Sequence, residues 1–319
     1  DTGTITEAAN RLYISQPSLT NAIHELEKEM GINIFNRSNK GISPSIEGEV
    51  FLGYARQVLE QAKVLEDKYK GDDGGKKSFC VSTQHYSFAV NAFVDLIKRY
   101  GQDEYDFSIR ETQTYEIIDD VARMRSEIGI LFMNDFNEKV LNKILRANDL
   151  EFHELFVAKP HVFISRKHPL AKNDIITNEE LEVYPYLSFE QGEHNSFYFS
   201  EEIFSTTERK KNIRVRDRAT LFNLLIGLNG YTVCSGVIDE KLNGKDIISV
   251  PLADESDMRI GYIVHRKAIL SRLGNTYLGA LANYLTAGSD EPEDSVKIPQ
   301  RKLQHRGRFN EMRDDGEPA

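Results

Sequence analysis

The sequence predicts a multidomain chain: a winged helix-turn-helix (all-α with a small β-wing), a long linker helix, and two α/β lobes. Three observations carry this. Two helical stretches joined by a tight turn, residues 4–12 and 15–30, lead into an apolar stem with a polar, glycine-containing tip. Residues 45–69 repeat apolar positions alternately four and three apart. From residue 78 onward, β-branched and aromatic runs alternate with helical spacing, as α/β domains require.

The first helix starts at Thr4, which with Glu7 fits a capping box, and Ala8, Ala9 and Leu12 are its expected buried side. Only Tyr13 and Ile14 separate it from Ser15, the cap of the second helix. Pro17 suits a first turn, where its missing N–H costs nothing. Leu19, Ile23, Leu26 and Met30 form one apolar stripe, and Gly31 stops the helix. Pro17, Asn21, His24 and Lys28 project from the opposite side, flanked by Gln16 and Thr20. Residues 31–44 then read as a wing carrying Arg37 and Lys40. An ordinary helical hairpin has the same periodicity. The adjoining wing tips the balance toward DNA, with Gln16, Pro17, Ser18, Thr20, Asn21, His24, Arg37 and Lys40 as the expected contacts.

Composition bounds the remainder. At 319 residues, 40% hydrophobic and 28% charged, the chain has room for two or three soluble domains. It shows neither a membrane-length apolar run nor a leader, and its two cysteines make no disulfide framework, so a cytoplasmic protein is expected. The net charge of −10 weighs against nucleic acid, as do Glu25, Glu27 and Glu29 on the second helix. Charge averaged over a chain says little about one face, and a dimer presents Arg37 and Lys40 twice.

These residues resemble the LysR-type transcriptional regulators. The likeness rests on Gly3-Thr4, Ala8-Ala9, Leu12, Ser15-Gln16-Pro17, Leu26-Glu27, Gly31, Phe35-Asn36-Arg37 and Ser45-x-x-Gly48 in order, and continues more loosely to about residue 285. The family begins with a further helix, so the chain is expected to be short at its N-terminus, with a weakened DNA-binding module. Residues 1–44 are the expected DNA-binding domain.

Residues 45–70 are the linker helix, capped by Ser45, with Glu47 and Glu49 at its positive end. Phe51, Ala55, Val58, Ala62, Leu65 and Tyr69 form a heptad seam that wants an identical partner. A surface helix on its own domain is the plainer reading. The resemblance favours dimerisation, and a homodimer or homotetramer is expected. Residues 71–77, glycine-rich and charged, are a hinge.

Residues 78–287 form the sensor. Strands are expected at 78–82, 107–111 and 128–132, with helices at 88–100 and 117–125 between them. A second series has strands at 161–164, 186–189, 213–215 and 231–234, and residues 260–265 return the chain to the first. The alternation implies parallel pairing. The lobes are placed at 78–158 plus 263–287, and at 159–262; a polar tail at 288–319 is expected to be disordered. The resemblance implies a ligand cleft between lobes similar to those of periplasmic binding proteins.

Ligands of such sheets collect at strand C-termini and helix N-termini. Ser82, Thr83, Gln84 and His85 follow the first strand, Thr112 and Gln113 the second, and Arg218 precedes a later helix. These are the expected effector contacts, though each fits N-capping chemistry equally well. Hydroxyl and amide donors without clustered cations fit a small polar or anionic metabolite, such as an amino-acid derivative. Cys80 and Cys234 lie in apolar strands of different lobes and read as inert thiols, and His153, His161 and His168 lack metal-ligand spacing. No cofactor is implied. A solute-binding protein without DNA binding is the alternative, and an enzyme on the same fold lacks a catalytic constellation.

Overall fold

The computed structural model describes residues 2, 4–38, 41–70, 77–100, 104–194, 196–238 and 244–287. Gly3, Lys40, all of the expected hinge but Lys77, and the tail at 288–319 lie outside the described residues.

The N-terminal domain opens with α1 (Ile5–Arg11) and α2 (Gln16–Met30). Thr4 Oγ1 accepts from the Glu7 N–H and Ser15 Oγ from the Ser18 N–H, so each start has its hydroxyl cap. Gly31 ends α2 in the left-handed region at φ 68°. The wing is β1 (Phe35–Ser38) against β2 (Gly41–Pro44), antiparallel. It docks through Glu27, whose Oε1 accepts the N–H groups of Ile34 at 2.8 Å and Phe35 at 3.1 Å. That carboxylate is therefore a structural acceptor, not part of the acidic surface inferred for the recognition helix. Leu12 and Met30, expected inside, are 59% and 48% exposed because no described element packs over them.

The linker helix α3 (Ile46–Lys70) starts where Ser45 Oγ accepts from the Gly48 N–H at 2.8 Å. A Cβ on Gly48 would lie 1.9 Å from the Ile34 carbonyl oxygen, so only glycine lets α3 meet the wing. Of the expected seam, Val58, Ala62 and Leu65 are exposed, and the side chain of Tyr69 lies outside the described residues. Phe51 and Ala55 are half-buried, and the open apolar line is Ile46, Val50, Tyr54, Val58 and Leu65. An ion pair of 2.6 Å from Glu49 to Arg123 ties α3 to the first lobe.

The chain then enters β3 (Lys77–Thr83), α4 (Ser87–Tyr100), β4 (Tyr105–Glu111), α5 (Thr114–Ala122), β5 (Ile128–Met133), α6 (Glu138–Ala147) and β6 (Leu150–Ala158). It crosses to β7 (His161–Ser165), α7 (Asn178–Leu181), β8 (Tyr186–Phe189), β9 (Asn212–Val215), α8 (Arg218–Leu228), β10 (Tyr231–Cys234) and β11 (Ile247–Pro251). It returns through β12 (Met258–His265) and ends on α9 (Arg272–Ala287).

Lobe I orders its sheet β4-β3-β5-β12-β6 and lobe II β11-β7-β10-β8-β9. Both sheets are mixed, which corrects the parallel expectation. Strands β4, β3 and β5 run parallel, but β12 is antiparallel to β5 and β6, and β7 to β10 and β11. Each antiparallel strand enters its sheet from the other lobe or by a direct turn, not by a helical crossover. Because β12 starts at Met258, the return crossing lies after Pro251, not at the expected 262/263 boundary, which would cut the strand. Every residue of β5 is buried, as an apolar run at a sheet centre must be. Tyr277 of α9 donates to the Ala89 carbonyl at 3.0 Å, fastening α9 to α4 over that core.

Candidate functional site

Two faces carry candidate function. On α2, Gln16, Pro17, Ser18, Asn21 and His24 are exposed and Thr20 is half-buried. Gln16 Nε2 donates to Thr20 Oγ1 at 3.1 Å, Ser18 Oγ lies 2.7 Å from Ser15 Oγ, and His24 Nδ1 stands 3.5 Å from Glu27. Arg37 is exposed on β1 of the wing. A helix with an open polar side, followed by a hairpin with an exposed arginine, carries the side-chain types that meet a major groove and its flanking phosphates.

The second face is the interlobe cleft, and its polar groups are engaged with one another. Ser82, Thr83 and Gln84 are 0, 0 and 1% exposed. Ser82 donates to Asp120 at 2.7 Å and Thr83 to the Gln84 carbonyl at 2.7 Å. Gln84 accepts from the Phe132 N–H at 3.0 Å and donates to Thr114 at 2.6 Å. These side chains are engaged within lobe I, so a ligand that used them would have to take over bonds they already make. Thr112 likewise donates to Glu116 of its own lobe.

His85, Gln113 and Arg218 do reach across. Arg218 pairs with Glu111 at 2.8 Å, linking α8 to the end of β4. Gln113 lies against Gly192, whose added Cβ would come 2.5 Å from its Oε1. Thr114, at the start of α5, donates its N–H to Gln191 Oε1 at 3.1 Å and its hydroxyl to the Phe199 carbonyl at 2.7 Å. Asp217 accepts from the Thr220 N–H at 2.8 Å and is an N-cap, the plainer of the readings for its segment.

His85 makes the densest contact. Its backbone N–H and its Nδ1 both meet Glu201 Oε2, at 3.0 and 2.8 Å, and Nε2 meets the Arg216 carbonyl at 3.1 Å. The ring stacks on Phe189 with centroids 3.8 Å apart. Both ring nitrogens face acceptors, so the doubly protonated imidazolium satisfies both. Burial opposes that charge, but the Glu201 carboxylate and its hydrogen bond outweigh it and raise the histidine pKa. Next to it, burial and then the Glu201 charge push the Glu202 carboxyl up to about 8.

Glu111, Phe189, Gln191 and Glu201 were not legible as site residues. They come from separate elements, and nothing local marks them. Cys80 and Cys234 are free thiols in different lobes, and burial raises the Cys234 pKa, which keeps it a thiol. Among the described residues no group of histidine, cysteine and carboxylates could hold a metal, and no helix is long and apolar enough to cross a membrane.

The class these two faces define is a DNA-binding regulator with a ligand-binding module. The family described as "Bacterial regulatory helix-turn-helix protein, lysR family" matches residues 1–49, and "LysR substrate binding domain" matches residues 79–286. The chain belongs to the LysR family of transcriptional regulators. It is 28% identical over 187 residues to the uncharacterized HTH-type transcriptional regulator YnfL of Escherichia coli K12, covering 57% of this chain and 59% of that protein. It is 27% identical over 192 residues to CysB of Haemophilus influenzae, covering 59% and 56%. These matches span less than two thirds of either relative. YbhD of E. coli K12 is 23% identical over 308 residues, 94% of this chain and 93% of that protein. The structure of a full-length OxyR variant from Pseudomonas aeruginosa shares the fold, with a TM-score of 0.61 over 89% of both chains at 18% identity.

Proposed function

We propose that the chain regulates transcription in the cytoplasm by binding duplex DNA as a homodimer or homotetramer, under the control of a small polar or anionic metabolite. It carries out recognition and no reaction. The observation that supports this most is the exposed polar side of α2, with Asn21 and His24, together with the exposed wing cation Arg37. The open line Ile46, Val50, Tyr54, Val58 and Leu65 supports self-association along α3. Effector control follows from the two lobes, which are joined by two crossings and meet through polar groups that a ligand can rearrange.

The test is selection of duplexes from a random pool by the full chain, followed by affinities for the selected and a scrambled sequence. Arg37→Ala is expected to weaken both about equally and to lower the salt slope by about 1. Asn21→Ala is expected to narrow the gap between them. No enrichment, with salt-independent binding, overturns the reading. Thermal shift against a metabolite panel tests the effector arm.

A further inference from the structure

The donors that a ligand carboxylate would be expected to use in this cleft already hold a carboxylate. Glu201, from lobe II, sets Oε2 between the backbone N–H and the Nδ1 of His85 of lobe I. Its Oε1 is 3.3 Å from Gln191 Nε2. The side chains of His85 and Glu201 are only 4% and 5% exposed. A cationic ring, a main-chain N–H and an amide converging on one buried anion form a complete carboxylate-binding set. Beside it lies a hollow of about 50 Å³, bounded on its apolar side by Phe163, Leu221, Phe222 and Val233 and reached by Arg218.

We propose that Glu201 is a tethered stand-in for the effector: its side chain closes the cleft by filling the subsite that recognises a short, apolar-bodied monocarboxylate, and effector acts by displacing it. This rests on reading the cleft as the effector site. The class follows from the walls. The donor set satisfies one carboxylate, and the adjoining hollow is small and lined mostly by apolar groups. A tethered group competes at an effective concentration of millimolar or more, so the intact chain resists free carboxylates.

The same geometry makes closure an equilibrium and not a fixed state. The ion pair, the stacked ring and the Thr114–Gln191 bond all join lobe I to lobe II, and a ligand that takes the place of Glu201 removes the ion pair and the His85 N–H bond from that set. An occupied subsite with a free Glu201 therefore leaves the lobes held by fewer direct bonds.

Chemical rescue tests this on the full chain. Glu201→Ala is expected to melt at a lower temperature than wild type. Sodium propionate should restore it saturably, at a concentration at least tenfold lower than any that shifts wild type. Propionamide and sodium chloride should not restore it. Equal responses of variant and wild type, or rescue by propionamide as good as by propionate, overturn the proposal. Should Glu201→Ala not fold, Glu201→Gln retains the volume and the histidine titration followed by NMR decides. A His85 pKa lowered from its wild-type value supports the pairing, and an unchanged one overturns it. Selected-DNA binding measured in parallel separates the two readings. Failure of DNA binding in wild type sinks the regulator, whereas intact DNA binding without selective rescue sinks only the stand-in.

Discussion

The second helix of the helix-turn-helix and the interlobe cleft are built on opposite principles. On α2 the side chains that would read a partner are mostly exposed and bond only to near neighbours in sequence, Gln16 to Thr20 and Ser18 to Ser15, while Glu27 grips the wing. In the cleft polar groups bond across the lobes, through the side-chain pairs His85–Glu201 and Arg218–Glu111 and the Thr114 N–H donating to Gln191. The first surface is preorganised for a partner. The second must give up internal bonds to take one, so its affinity is a difference between two sets of contacts.

The largest effect is expected where the DNA module depends on one atom. Gly48→Ala places a Cβ 1.9 Å from the Ile34 carbonyl, and the overpacking should cost about 3 kcal/mol. Denaturant unfolding should show this together with loss of DNA binding. Gly53→Ala, with nothing within 4 Å of the new Cβ, is the control and should change little. Equal effects would show that close approach of α3 and wing is not what the module needs.

Removing the wing clamp comes next. Glu27→Ala leaves the Ile34 and Phe35 N–H groups without their carboxylate, at a cost of about 1–3 kcal/mol. DNA affinity should fall for every sequence, because the wing shifts while the base-facing side chains remain. A change of sequence preference without a change of stability would instead place Glu27 at the bases.

Smaller at neutral pH, but specific to the cleft, is a pH effect. His85 has a raised folded pKa, so its contribution is complete below the ordinary value of about 6.5 and is lost as pH rises through the folded value. Glu202, pushed up to about 8, binds its proton more tightly folded than unfolded, so stability falls from about 4.5 up to that value. Both signs agree: the sensor should lose stability between about pH 6.5 and 8, and Glu202→Gln should flatten the curve. A melting temperature that rises over this range contradicts the pairing.

The legibility of the sequence divides along the same line. The helix-turn-helix was readable because its caps, stripe and stop lie within one contiguous stretch, residues 4–31, and local bonds fix them. Most sensor strands were readable from apolar runs, yet β6 was not, since Glu151, His153 and Glu154 interrupt its pattern, and β11 and the helix α6 were also missed. The cleft was unreadable in its essentials. His85 and Glu201 are 116 positions apart, and Ser82, Thr83 and Gln84, which looked like open donors, are turned inward by partners such as Asp120 and Thr114.

The smallest effect is local. Tyr13 sits between α1 and α2 at φ 56° and is 97% exposed. Asn, which tolerates the left-handed region, should stabilise the chain by about 1 kcal/mol without altering DNA preference. No gain would mean that the tyrosine ring contributes contacts beyond its own turn.

The contrast between an open reading head and a cleft held shut by its own side chains can be measured directly by amide hydrogen exchange on the full chain without effector. The His85 and Thr114 N–H groups, which donate to Glu201 and Gln191, lie outside the regular hydrogen bonding of α4 and α5. Their protection therefore reports lobe contact. Protection of both in wild type, with loss at His85 in Glu201→Ala, is the expected result. Rapid exchange at both positions in wild type would show that the lobes do not hold each other, and would contradict the account.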